Sequence, residues 1–176
     1  RAKGSRFVLA LPLTLAASRG LSVVAGTQTY CIPLTPVDEV VKVDAKALGR
    51  AQGRLVMSWR HQAVTYVGLE ALLTGSASVR PAGDAYAVVL ALSDRRLALG
   101  VDQLLGQHDM VVKAPVAGTP PLRFIAGTTP LADGRLVTVL DAPALFEAAS
   151  QGQARSGDGA HAGARLVLVA DDSLTS

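Results

Sequence analysis

The chain has 176 residues, a length that suits one ordinary domain and is sufficient to bury a core. Its net charge of +3 comes from basic residues scattered along the chain, which disfavours nucleic-acid binding, because that function usually needs a concentrated basic stripe with stacking aromatic side chains. Hydrophobic residues make up 49% of the chain and aromatic residues only 4%, so we expect an aliphatic core, and the abundance of Val, Gly and Pro favours a mainly β fold.

The first predicted element is a strand over residues 7–13, where apolar residues follow a basic start. Arg1, Lys3 and Arg6 make this segment similar to a signal peptide. Pro12 interrupts it, however, and it is shorter than the ~20 residues that a membrane span needs. We therefore expect no direct membrane insertion. Because the chain starts at Arg rather than Met, we also expect it to be a piece of a longer protein.

Two hairpins follow in the predicted order of elements. Residues 21–25 and 29–34 are strand-like runs on either side of Gly26, which predicts two strands joined by a tight turn. Residues 85–92 and 97–101 repeat this arrangement further along the chain.

The similarity continues after each hairpin. Residues 37–41 resemble residues 101–105, and residues 64–73 resemble residues 136–146. In the second pair, a strand is followed by a short helical turn with apolar residues at positions i, i+3 and i+4. The shared order of elements indicates two diverged copies of one β-rich unit. We expect two small barrels, because closing a sheet into a barrel removes its exposed edges.

The C-terminal part differs from this pattern. Residues 149–163 are rich in Gly, Ala, Ser and Gln without apolar periodicity, which predicts a flexible linker. Residues 164–170 form a continuous apolar run, typical of a strand buried on both faces of a parallel sheet. Asp171 and Asp172 follow that strand directly. Such a pair can bind a hard cation such as Mg²⁺ or cap a helix N-terminus, and both interpretations remain open at this point.

The remaining residues offer no pattern of catalytic or metal-binding groups. Cys31 has no His or Asn environment in the sequence, and we expect it to be a small buried residue. His61, His108 and His161 lack metal-ligand spacing, so we expect them at the surface. The chain contains neither a Gly-x-Ser-x-Gly nucleophile motif nor a Gly-x-x-x-x-Gly-Lys phosphate loop.

Residues 101–113 are the most informative stretch, because an apolar run breaks at Gly106, crosses polar residues and resumes as Val-Val-Lys. Residues 102–113 resemble the signature of the CheW-like domain of bacterial chemotaxis coupling proteins and kinases. Further matching segments lie at residues 30–34, 37–41, 127–128, 133–135 and 140–141. The resemblance covers residues 20–148. It implies a domain over residues 17–148 that consists of two similar, five-stranded, SH3-like barrels packed together, with short helices.

The flanking segments carry resemblances of their own. Residues 1–16 resemble the last strand of the ATP-binding domain of a chemotaxis histidine kinase, and residues 164–176 resemble the opening of a response-regulator receiver domain. This order implies a hybrid CheA-type kinase. Asp171 and Asp172 then match the acidic Mg²⁺ pair of a receiver, without its other partners. The resemblance implies that ATP and Mg²⁺ belong to the parent protein, and that this chain has no catalytic residue and no cofactor and performs no phosphotransfer.

The resemblance implies that the chain is a cytoplasmic adaptor at chemoreceptor arrays. The implied partners are a CheW coupling protein, the cytoplasmic tip of a methyl-accepting chemoreceptor near the groove between the barrels, and the kinase ATP-binding domain in the same chain. Nucleic acid is not among them. The contact is expected at an exposed turn. The predicted protein-interaction residues are Gly106, Gln107, His108, Asp109 and Val111. The residues of this stretch expected in the core are Val101, Leu104 and Leu105.

Three other functions remain open from the sequence. The first is a stand-alone CheW-type scaffold, which would lack both flanking domains. The second is a small-barrel nucleic-acid or ligand-binding domain, which would need a basic groove with stacking aromatic residues. The third is a catalytic domain whose site has no recognised motif.

Overall fold

A computed structural model describes residues 18–44, 47–76, 81, 85–114 and 123–155. The described part is mainly β, as predicted, with two helices. The strands are β1 Ser18–Ala25, β2 Gln28–Pro33, β3 Val37–Val43, β4 Leu48–Ala51, β5 Arg54–Trp59, β6 Gln62–Gly68, β7 Ala85–Leu92, β8 Arg95–Val101, β9 Gln103–Met110, β10 Ile125–Pro130 and β11 Leu136–Leu140. The helices are α1 Leu69–Thr74 and α2 Ala142–Arg155.

Several predictions lie outside the described residues. These are the strand in residues 1–16, the strand in residues 164–176, the acidic pair Asp171 and Asp172, and His161.

The strands form two sheets. The first sheet has the order β10-β11-β2-β1-β9, and the second has the order β3-β7-β8-β6-β5-β4. Neighbouring strands are antiparallel except for two parallel pairs, β2 with β11 and β6 with β8. The second sheet therefore has six strands rather than the expected five, because β4 pairs with the outer side of β5. In the first sheet, a bridge between Lys113 and Thr128 joins the chain after β9 to β10, so the two edges of that sheet meet only beyond the end of β9, and among the described strands β9 itself pairs with β1 alone.

Each sheet combines strands from both copies of the repeated unit. The hairpin β1–β2 belongs to the first copy, but it pairs with β9 and β11 of the second copy. The hairpin β7–β8 belongs to the second copy, but it pairs with β3 and β6 of the first. The two copies thus exchange their hairpins, and neither copy builds a sheet alone.

Alternation along the strands creates three apolar clusters. On β1, Leu21 and Val23 face a large central core between the two sheets, which also takes Val88 and Leu90 of β7. Ala87 and Val89 of β7 point to the opposite face of the second sheet, where they belong to a second apolar cluster. The interior of the first sheet is small and contains Cys31, Met110, Val137 and Val139. The two faces of each sheet are therefore both buried over much of their area, which explains the high aliphatic content.

Both helices pack against the central core. α1 follows β6 directly and ends at Gly75, whose φ of +71° suits a residue without a side chain. At the start of α2, the Asp141 carboxylate accepts a hydrogen bond from the Ala144 backbone N–H at 3.2 Å. α2 buries Leu145 and Phe146 completely or nearly so in the central core. The strand-then-helix pattern predicted for both copies is present.

The predicted boundary between domain and linker is wrong in position. α2 continues to Arg155, so residues 149–155, for which the sequence predicts a flexible linker, are helical. The physical reason is that Ala148 and Ala149 still pack on the central core, and alanine is the best helix former. The rest of the predicted linker, residues 156–163, lies outside the described residues.

Gly127→Ala is expected to lower the free energy of unfolding by about 1–3 kcal/mol. A Cβ atom at Gly127 would overlap the carbonyl oxygen of Lys113 and lie 2.9 Å from Cγ1 of Val112, so the bridge that joins the edges of the first sheet would have to move. Urea denaturation followed by circular dichroism measures the change. Gly49→Ala is the matched control, because the nearest atom to its Cβ would be Cγ2 of Val56 at 3.5 Å, an ordinary van der Waals contact. Equal destabilisation by both variants would contradict the prediction.

Candidate functional site

The segment predicted as an exposed turn is a strand. Residues 106–109 lie inside β9, which pairs with β1 along its length. Gly106 has a φ of +112°, and the register of β9 against β1 shifts between Ser22 and Val23. These features form a β-bulge. The sequence pattern of Gly followed by polar residues is shared by turns and by bulged edge strands, which is why the prediction of a turn was wrong.

The predicted interaction residues point in two directions. Gln107 and Asp109 are exposed, and the Arg19 guanidinium on β1 donates a hydrogen bond to Oε1 of Gln107 at 3.1 Å and lies 3.9 Å from Oδ1 of Asp109. His108 is half-buried and faces the interior of the first sheet. Gly106 is exposed at the bulge.

Apolar side chains are exposed next to these polar ones. Leu105 is 50% exposed and Val111 is 60% exposed. The expectation that Leu105 is buried is therefore wrong, because the bulge turns its side chain outward, whereas Val101 is buried and Leu104 is half-buried. β9 is also an edge strand of the first sheet. We call Leu105, Gln107, Asp109 and Val111 the β9 surface.

A second surface feature is a groove of about 430 Å³ between the two sheets. Its walls come from the end of β2, the turn between β7 and β8, and the start of α2, and they are mainly apolar. The lining residues are Pro33, Thr35, Pro36, Ala91, Leu92, Ser93, Ala126, Leu140, Asp141, Ala142 and Pro143. The groove therefore has contributions from both sheets, and Asp141 is its one acidic residue.

The inner side of β9 holds a cluster that sequence reasoning missed. Sγ of Cys31 lies 3.6 Å from Sδ of Met110 and 3.9 Å from Nε2 of His108. Oγ of Ser22 lies 3.5 Å from Nδ1 of the same ring. Cys31 is fully buried, as predicted, and burial raises the pKa of its thiol to about 11. The thiol is therefore protonated at neutral pH and is a poor nucleophile.

The stability of the chain is expected to fall between pH 9 and pH 11 because of Cys31. Its thiol has an ordinary pKa of 9.0 and a folded-state pKa of about 11, so above pH 9 the unfolded chain loses this proton before the folded chain does. The folded state then binds more protons, and stability decreases with pH by at most about 3 kcal/mol over this range. Thermal unfolding of wild type and Cys31→Ala at pH 8 and pH 11 measures the difference. Parallel losses in both proteins would contradict this assignment.

A polar cluster in the second sheet was also not predicted. Nε1 of Trp59 donates a hydrogen bond to Oε2 of Glu39 at 2.8 Å, and the same oxygen accepts one from Arg60 at 3.1 Å. The Arg60 guanidinium lies 4.4 Å from the centre of the Trp59 ring. Nε of Arg96 lies 3.3 Å from Oδ2 of Asp38. These contacts join β3, β5 and β8, and no local sequence pattern indicates them.

Within the described ranges, no three His, Cys, Asp or Glu side chains lie close enough together to hold a metal ion. In the same ranges, neither helix is long and apolar enough to cross a membrane.

Comparison with known proteins adds a family match. The model of the CheW-like domain matches residues 19–150. The chain is 30% identical over 146 residues to the sensor histidine kinase CheAY of Helicobacter pylori, 31% identical over 146 residues to the chemotaxis protein CheA of Treponema pallidum, and 33% identical over 153 residues to CheA of Rhizobium meliloti. These matches cover 83%, 82% and 86% of this chain, but only 18%, 18% and 20% of the relatives. The chain thus spans about a fifth of the length of these relatives.

The fold has a solved counterpart. The scaffolding protein TtCheW from Thermoanaerobacter tengcongensis superposes with a TM-score of 0.58 at 13% sequence identity. The superposition covers 79% of this chain and 94% of that protein. At this level of identity the likeness concerns the fold, and it agrees with the two-sheet architecture described above.

Proposed function

The chain belongs to the CheW-like domain family, and from this premise we propose that it is the non-catalytic regulatory module of a chemotaxis-type histidine kinase. Its similarity to CheA proteins along most of its length supports this role. ATP binding and phosphotransfer would then belong to other parts of a longer kinase. The module would convert the state of a receptor into a change in kinase activity by binding other proteins.

The β9 surface is the proposed docking site for a CheW coupling protein, at chemoreceptor arrays in the cytoplasm. The observation that carries this proposal is the exposure of Leu105 on the edge strand β9 and of Val111 directly after it. Exposed apolar side chains next to polar ones are typical of protein–protein interfaces. Gln107 and Asp109 supply the polar part. A partner barrel could also pair with the open side of the β9 backbone.

The groove between the sheets is the proposed site for the cytoplasmic tip of a chemoreceptor. Its mainly apolar walls and its length across both sheets suit the apolar face of a helical segment. Because both sheets line the groove, a bound segment would contact the hairpin β7–β8 and the start of helix α2. Receptor binding would thus bias the relative position of the sheets.

Coupling to an ATP-binding domain in the same chain is proposed to pass through β1. The N-terminal residue of β1, Ser18, is paired with Met110 of β9, and Arg19 is paired with Asp109. A partner on the β9 surface would therefore lie one strand away from the point where the preceding chain enters the domain. A shift of β9 would be transmitted to that point through the backbone hydrogen bonds of a single strand pair.

The double variant Leu105→Glu, Val111→Glu tests this function. We expect its affinity for a CheW protein of the same organism to fall by at least ~10-fold, because two charges would replace the two apolar side chains of the contact. Isothermal titration calorimetry measures the affinity. Leu136→Glu is the matched control, because Leu136 is 67% exposed on β11 in the same sheet.

Two results would count against the proposed contact. One is unchanged affinity of the double variant, and the other is an equal loss in the Leu136→Glu control. A pull-down with Gln107→Ala, Asp109→Ala is expected to show a smaller loss, since exposed polar side chains usually contribute less to binding than apolar ones that become buried.

A stand-alone CheW-type scaffold remains a second candidate, because the described residues superpose on most of a solved CheW protein. The nucleotide-binding and phosphoacceptor motifs of a kinase, sought in the complete gene, distinguish the two. The small-barrel nucleic-acid binder finds less support, since the β9 surface contains no basic residue and the groove lining contains none either. We expect no salt-dependent binding to single-stranded DNA.

A further inference from the structure

Three potential metal ligands converge across β1 in the interior of the first sheet. Cys31 comes from β2, and His108 and Met110 come from β9. The distances from Sγ of Cys31 are 3.9 Å to Nε2 of His108 and 3.6 Å to Sδ of Met110. An ion bound at about 2.0 Å from nitrogen and about 2.3 Å from sulfur holds its ligand atoms roughly 3.5–4.0 Å apart. Both measured distances already fall in that range.

The surroundings keep these atoms facing one another. Gly20 of β1 is paired with His108, and a Cβ atom there would overlap Sγ of Cys31 and lie 2.8 Å from Sδ of Met110. Oγ of Ser22 lies 3.5 Å from Nδ1 of His108. A partner for one ring nitrogen, with the other directed at the ion, is the usual arrangement of a histidine ligand.

The chemistry of the donors selects the ion. Thiolate and thioether sulfur are soft ligands that favour Cu(I). A Cu(I) ion with one thiolate, one thioether and one neutral imidazole has no net charge, which suits an interior lined by Val137 and Val139. A divalent ion would leave an uncompensated positive charge there. We propose that Cys31, His108 and Met110 form a Cu(I)-binding site.

Binding is a ligand exchange without electron transfer. The Cys31 thiol releases its proton to solvent as the bond from sulfur to copper forms, so one proton leaves for each ion bound. The His108 ring is half-buried and provides the route from solvent to the two buried sulfur atoms.

Competition for Cu(I) under anaerobic conditions tests the site. The untagged 176-residue chain is titrated against the Cu(I) chelator bathocuproine disulfonate, whose colour reports the copper that the protein has not taken. We expect one ion per chain, and X-ray absorption should show two sulfur ligands and one nitrogen ligand. Cys31→Ser and His108→Asn are each expected to weaken binding by at least ~10-fold, as is Met110→Leu, which conserves volume.

Matched controls come from the second sheet and its turns. Met57→Leu replaces the buried methionine of β5, and His61→Asn replaces an exposed histidine between β5 and β6. Both should bind Cu(I) with affinity within ~2-fold of wild type, since neither residue is a proposed ligand. The proposal is overturned if wild type does not compete for copper, if Cys31→Ser and His108→Asn both keep wild-type affinity, or if the controls weaken binding as much. Circular dichroism establishes that each variant is folded.

Discussion

Leu145→Ala should lower the free energy of unfolding by about 3–5 kcal/mol, which is a large part of the stability of a domain of this size. Leu145 has no exposed surface and packs in the central core, which takes side chains from both sheets and both helices. Removing its three outer carbon atoms would leave a cavity at the point where the sheets meet. Because the surrounding strands are fixed by hydrogen bonds, the cavity can collapse only partly.

Urea denaturation followed by circular dichroism measures this loss. Leu136→Ala serves as the control, because its side chain is 67% exposed and such a substitution usually changes stability by less than ~0.5 kcal/mol. A loss below ~1 kcal/mol for Leu145→Ala would mean that the two sheets are not held together through α2. Two separate unfolding transitions in the Leu145→Ala variant would lead to the same conclusion.

Cutting the chain between α1 and β7 should abolish independent folding of either half as a monomer. The first half would contain the hairpin β1–β2 without its partners β9 and β11, and the second half would contain β7–β8 without β3 and β6. Each half would therefore expose an apolar hairpin and an incomplete sheet. Mixed in equal amounts, the halves are expected to assemble into the native fold, because each strand can then pair with its native neighbours from the other half.

Nuclear magnetic resonance spectra of each half alone and of the mixture distinguish these states. Dispersed amide signals should occur in the mixture, and a monomeric half with dispersed signals and a cooperative unfolding transition would contradict the exchange of hairpins. Analytical ultracentrifugation gives the mass of each species. The intact chain serves as the reference for the native spectrum.

Features that depend on neighbours in sequence were predictable. Alternating apolar residues around Gly26 indicated the hairpin β1–β2, and the change from alternation to helical spacing after residue 68 indicated β6 and α1. The resemblance to the CheW-like family was likewise visible in short motifs such as residues 102–113, and the family match confirms it.

Features that depend on distant pairing were not predictable. Local pattern does not say which strand lies beside β2, so the exchange of hairpins was not visible. The bulge at Gly106 depends on the register against β1, and without that register the sequence of residues 106–109 predicts a turn. Similarly, 77 residues separate Cys31 from His108, and only the pairing of β1 with both β2 and β9 brings them together.

The exchange of hairpins also affects how the edge strands β3 and β9 of the two sheets can differ in their side chains. Two separate chains, each with one copy, could build the same pair of sheets as a swapped dimer, but that dimer would have two identical edges. Joining both copies in one chain makes assembly independent of concentration and allows each edge its own side chains. β3 has Glu39 held by Arg60, whereas the equivalent strand β9 exposes Leu105. Fusion of the copies thus permits the two equivalent edge strands, β3 and β9, to present different side chains.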